Sequence, residues 1–79
     1  MTDNNGTLDR AQIFADTARV LDVELDELVA DVSLVDQGLD SVRLMALVEE
    51  WRSAGADVDF VTLASTPVLD NWVDELVAK

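Results

Sequence analysis

Apolar residues recur at helical spacing in three stretches of the chain. The first runs through Ala11, Phe14, Ala15, Ala18 and Leu21, with Ile13 and Val20 widening the stripe. Thr7 stands before Asp9 where an N-cap would start that helix. The second places Leu44, Leu47, Val48 and Trp51 at i, i+3, i+4 and i+7. This predicts a helix from about Ser41 to Ser53 with one face in a core and Gly55 as its C-terminal stop. The third repeats the spacing with Leu69, Trp72, Val73 and Leu76. Thr66 followed by Pro67 is its start signal, an N-cap with proline at the first helical position, and Lys79 places a cation in the last turn. Between the second and third stripes, Asp59 is positioned to cap a short helix, Phe60 to Ala64.

From Asp22 to Asp40 the apolar residues Leu25, Leu28, Val32, Leu34, Val35 and Leu39 fit neither the helical nor the strand period for long. The spacing predicts a long connection with one helical turn around Asp26 to Val29. Such connections are usually functional or pinned by their own side chains, and the Leu and Val residues are available for the pinning. Gly38 allows a turn with positive φ just before the second helix. The expected fold is all-α: a small four-helix bundle of three main helices plus a short third one, with a long first loop. Residues 1–6 read as a flexible lead-in and 7–79 as one domain.

Composition narrows the function. Seventy-nine residues are too few for an enzyme with a deep cleft of its own, and 49% hydrophobic content with two Trp and two Phe suffices for a compact helical core. The net charge is −12, with five Lys and Arg and no His. That balance argues against nucleic acid, which is held by basic clusters, and favours a basic protein partner reached by electrostatic steering. With no Cys there is no disulfide, thiolate nucleophile or Cys-type zinc site. The carboxylates lack an EF-hand spacing. Met1 to Gly6 has neither a basic nor an apolar signal region and no run is long enough to span a bilayer, so a soluble, cytoplasmic, monomeric protein with no membrane role is the expectation.

The candidate chemistry lies in Gly38-Leu39-Asp40-Ser41-Val42-Arg43-Leu44-Met45. Read alone, Asp-Ser before a helix is a cap for orphan backbone N–H groups. A nucleophilic serine needs a neighbouring base. Asp36 and Asp40 are the candidates here, yet so small a bundle offers no water-excluding cavity, and the chain is not expected to be an enzyme by itself. Val42 and Met45 beside Ser41 are either peripheral core or partner contacts. Arg43 is either a solvated charge or a contact for a phosphate or an acidic partner residue. Phe60 reads equally as core or as partner surface.

Gly38-Leu39-Asp40-Ser41 at the head of the second helix of an acidic bundle resembles the phosphopantetheine attachment site of acyl and peptidyl carrier proteins, over about Ala11 to Leu76. More narrowly, Ser41 to Leu47, Trp51-Arg52, Gly55 to Phe60, Leu63-Ala64, Pro67 and Trp72 look like the aryl carrier domains of nonribosomal siderophore assembly lines. The narrower likeness rests on Val42-Arg43, Trp51-Arg52 and the Gly55 to Phe60 segment, since acyl carriers share Gly-Leu-Asp-Ser. The resemblance implies that a phosphopantetheinyl transferase, using coenzyme A and magnesium, joins 4'-phosphopantetheine to the Ser41 hydroxyl, with Asp40 as the adjacent motif residue. An aryl-acid adenylating enzyme would then load 2,3-dihydroxybenzoate or salicylate as a thioester, and a nonribosomal peptide synthetase condensation or cyclisation domain would receive it. Val42, Met45, Phe60 and Ala64 would form the apolar centre of the docking face, with Arg43 and the surrounding acids setting orientation. In several relatives this domain is fused to an isochorismatase; these residues contain nothing of that enzyme, so a discrete carrier or an excised domain is expected. The alternatives are a peptidyl or acyl carrier for an amino acid or polyketide unit, and an unmodified helical binding module in which Ser41 is only a cap.

Overall fold

The first helix begins at an acid. The Asp9 carboxylate accepts the Gln12 N–H at 2.8 Å and starts α1, Arg10–Leu21, in the computed structural model, which describes residues 8–77. Thr7, the N-cap expected from the sequence, lies outside the described residues, and the cap is Asp9. Residues 1–6 and Lys79 also lie outside them. The buried residues of α1 are Ile13, Thr17, Ala18 and Leu21, while Phe14 is half-buried and Ala11 and Ala15 are exposed. The buried stripe is therefore turned from the expected one toward Ile13 and Thr17. Thr17 sits within that stripe because its hydroxyl donates to the Ile13 carbonyl at 2.7 Å and leaves no unpaired polar group.

The connection from α1 carries two single 3-10 turns, Leu25–Glu27 and Leu34–Gln37, in place of the one turn expected at Asp26 to Val29. Glu24 and Glu27 close the first turn reciprocally through each other's backbone N–H. The second ends at Gly38, whose φ of 112° is open to glycine and whose N–H returns to the Leu34 and Val35 carbonyls. Much of the pinning is polar. The Gln37 side chain accepts the Val29 N–H at 2.9 Å and donates to the Val29 and Val32 carbonyls, each at 3.0 Å. Leu34 and Leu39 are the buried anchors, whereas Leu25, Val29, Val32 and Val35 remain exposed.

Helix α2, Ser41–Ser53, buries Leu44, Leu47, Val48 and Trp51, the stripe expected from the sequence. Gly55, with φ of 100°, follows its end. Helix α3, Phe60–Ser65, is capped by Asp59, which accepts from both the backbone N–H and the hydroxyl of Thr62 at 3.1 Å. Helix α4, Leu69–Leu76, starts two residues later than the Thr66-Pro67 signal, with Val68 as an N-cap that offers no side-chain bond. The first connection explains the shift. Its Leu34 N–H donates to the Pro67 carbonyl at 2.6 Å, and its Ala30 carbonyl accepts the Asp70 N–H at 3.0 Å. Distant backbone thus satisfies an orphan donor in the first turn of α4, which a cap side chain would otherwise serve.

Inside the bundle Trp51 and Trp72 meet edge to face, with ring centroids 6.0 Å apart and an interplanar angle of 87°. Each buried indole N–H has an acceptor: Asp16 Oδ2 for Trp51 at 2.8 Å and the Leu63 carbonyl for Trp72 at 3.1 Å. Burial would raise the Asp16 pKa, but hydrogen bonds from Trp51, Gln12 and Arg19 outweigh it and hold the carboxyl below its ordinary value. Arg19 also donates to both Glu50 oxygens, at 2.6 and 3.1 Å, joining α1 to the C-terminal half of α2. The architecture is the expected one, three main helices and a short one. Among the described residues no helix is long and apolar enough to cross a membrane.

Candidate functional site

The start of α2 divides two tasks between neighbouring residues. Asp40 is the cap: its Oδ1 accepts the Arg43 N–H at 2.9 Å, and its carbonyl accepts the Leu44 N–H. Ser41 is the first helical residue, exposed, and among the described residues its hydroxyl has no hydrogen-bond partner. The capping role open to Ser41 from the sequence is therefore performed by Asp40. The first turn of a helix carries partial positive charge, so a phosphate ester on Ser41 would sit in a favourable field.

Beside Ser41 an open groove of about 390 Å³ runs between the first connection, α2 and α3, lined by Val35, Ser41, Leu44, Phe60, Ala64 and Pro67 among others. A second depression, about 240 Å³, lies further along α2 between Met45, Val48, Glu49, Arg52 and Phe60. The Phe60 ring is common to both. It is half-buried and packed against the core, with part of its surface left in the two depressions. Val42 is 76% exposed and Met45 53%, which removes them from the core. Ala64 is exposed on the wall of the first groove.

Arg43 is placed differently from either reading of the sequence. It is half-buried, and its Nη1 donates to the Val20 carbonyl at 2.8 Å. Two residues along a helix do not share a face, so Arg43 points away from Ser41 and ties α2 to the C-terminal end of α1, where carbonyls lack helical partners. Two exposed apolar residues escaped the sequence reading of the site: Val35, which lines the groove, and Val61, 68% exposed on α3. The available signals were weak. Val35 belongs to a stretch without a period, and Val61 stands two residues from buried Leu63 in a helix too short to show a stripe.

An unpartnered hydroxyl at the start of α2 thus stands beside an apolar groove, with Val42 and Met45 exposed on the same helix. The profile of the phosphopantetheine attachment site family matches residues 11–76, and the chain belongs to that family. Its cofactor is accordingly covalent 4'-phosphopantetheine. Phenyloxazoline synthase MbtB of Mycobacterium tuberculosis is 50% identical over 60 residues, covering 76% of this chain and 4% of its own length. Enterobactin synthase component B of Escherichia coli is 53% identical over 49 residues, 62% of this chain and 17% of its own. Isochorismatase of Bacillus subtilis is 46% identical over 62 residues, 78% of this chain and 20% of its own. The chain thus spans a fifth or less of each of these relatives. No solved structure matches it significantly. The family resemblance read from the sequence is borne out.

Proposed function

We propose that the chain is an aryl carrier whose Ser41 hydroxyl takes the 4'-phosphopantetheine arm. The observation that carries this reading is the division of labour at the head of α2, where Asp40 caps the helix and Ser41 is left exposed. The residues present fit the group. A phosphodiester on Ser41 meets the positive end of α2, and the apolar groove beside it gives the root of the arm a surface to lie along. When bound, the arm supplies the thiol that this cysteine-free chain lacks and on which an acyl group is held as a thioester.

The chain's own residues present and position. Asp40 fixes the first turn of α2, Arg43 fixes that turn against α1, and Val42, Met45, Phe60 and Ala64 offer the apolar centre on which a partner docks. A tether rooted at Ser41 raises the effective concentration of its cargo at whichever enzyme docks there. The partners are a phosphopantetheinyl transferase, an aryl-acid adenylating enzyme for a cargo of the 2,3-dihydroxybenzoate or salicylate type, and a nonribosomal peptide synthetase condensation or cyclisation domain. The likeness to a phenyloxazoline synthase and to an enterobactin synthase component supports this assignment, and a cytoplasmic location is part of the proposal.

Intact mass after incubation with coenzyme A, magnesium and a promiscuous transferase tests the reading. One added phosphopantetheine on the wild type and none on Ser41→Ala is expected, followed by loading with aryl acids in preference to amino or malonyl units. Addition to the alanine variant would exclude Ser41 as the attachment point. Preferred loading of an amino acid would make the chain a peptidyl carrier instead.

A further inference from the structure

The cations of this acidic chain are almost all engaged internally. Arg10 lies over the Phe14 ring at 4.5 Å, Arg19 is held by Asp16 and Glu50, and Arg43 donates to Val20. Among the described residues Arg52 alone has no ion pair, side-chain hydrogen bond or aromatic ring from its own chain. It is exposed and lines the second depression together with Glu49, with which it makes no ion pair, and with the apolar Met45, Val48 and Phe60. Its place in the last turn of α2 suits the helix dipole, which accounts for a cation there but not for one at the edge of an apolar hollow.

Charge complementarity identifies what that hollow accepts. A chain of net charge −12 is drawn to a basic surface, and Arg52 on the docking face repels such a surface unless a carboxylate stands opposite. We propose that Arg52 is a specificity residue that pairs with a carboxylate of the adenylating enzyme, beside an apolar side chain of that enzyme seated against Met45 and Phe60. The inference rests on the carrier reading and deepens it by naming the partner's chemistry. It assigns the contact to the adenylating enzyme because that enzyme chooses the cargo, so a mismatched pairing there places the wrong acyl group on the chain. Arg52 and Ser41 lie at opposite ends of α2, about 16 Å apart by helical rise, so engaging both fixes the register of the complex.

The test uses Arg52→Glu, Arg52→Gln and Arg52→Lys, each first converted with coenzyme A, magnesium and the promiscuous transferase. Initial rates of loading by a salicylate- or 2,3-dihydroxybenzoate-adenylating enzyme that accepts the wild type then give KM and kcat for the carrier. All variants gain the phosphopantetheine mass. Arg52→Glu raises KM about tenfold with kcat unchanged, the size expected for losing one partly desolvated charge pair. Arg52→Gln raises it less, and Arg52→Lys stays near wild type. One Asp→Lys or Glu→Lys variant of the enzyme restores Arg52→Glu. Overall charge alone predicts the reverse, since Arg52→Glu takes the net charge from −12 to −14 and strengthens attraction to a basic surface. An unchanged or lower KM for Arg52→Glu overturns the proposal, as does a loss confined to kcat. Failure of the carrier reading is distinct from either, since the wild type would then gain no mass.

Discussion

Leu44, Leu47, Val48 and Trp51 lie on one side of α2 and are buried, whereas Val42 and Met45, on the same helix, are among the most exposed apolar residues of the chain. In the core that the first side faces, every buried side-chain nitrogen and oxygen among the described residues has a partner, down to the two indole N–H groups. On the second, a serine hydroxyl and an arginine stand without partners from the chain. The difference teaches that apolar character alone does not assign a residue to the core. Neighbouring positions of one helix are buried or left to solvent, and the backbone period separates them.

The comparison can be broken most forcefully from the buried side. Trp72→Ala removes a fully buried ring and its contact with Trp51, and is expected to cost about 3–5 kcal/mol in denaturant unfolding, enough to unfold much of so small a domain. Replacements at the head of α2 separate cap from attachment point. Asp40→Ala should lose about 1 kcal/mol, while Ser41→Ala stays within about 0.5 kcal/mol and loses all phosphopantetheine addition by mass. Equal destabilisation by the two would mean that Ser41 shares the cap.

A smaller effect is expected from pH. The Asp16 carboxyl is held below its ordinary value of 3.8 in the folded chain, so its contribution is complete above that value and is lost as pH falls through the lowered folded value. Thermal melts of Asp16→Asn should accordingly show a flatter acid limb than the wild type below about pH 4. Last in the series, Val42→Ala and Met45→Ala should change stability by no more than about 0.5 kcal/mol while raising the carrier KM of an aryl-acid adenylating enzyme, measured by loading rate.

The elements whose information is local were legible in the sequence. The stripes of α2 and α4, the Asp59 cap and the positive φ at Gly38 each depend on residues within one or two turns. The misplacements have tertiary causes. Thr66-Pro67 is a sound start signal, but the Pro67 carbonyl is taken by Leu34, and Asp70 finds its acceptor on Ala30. The centre of the α1 stripe moved because Thr17, polar by type, becomes core once its hydroxyl bonds to Ile13. At the site, Ser41 and its motif were readable from one stretch. The inward turn of Arg43 and the grooves were not, since Val20, Phe60 and Pro67 reach α2 only through the fold.

Because residues 30 and 34 supply backbone partners for the entry to α4, the two ends of the chain's middle share one latch. When the connection lifts, the Asp70 amide loses its acceptor and the first turn of α4 frays with it. Deuterium uptake at Asp70 is therefore expected to report opening of the connection that borders Ser41, and a bound partner that holds the connection down should slow it.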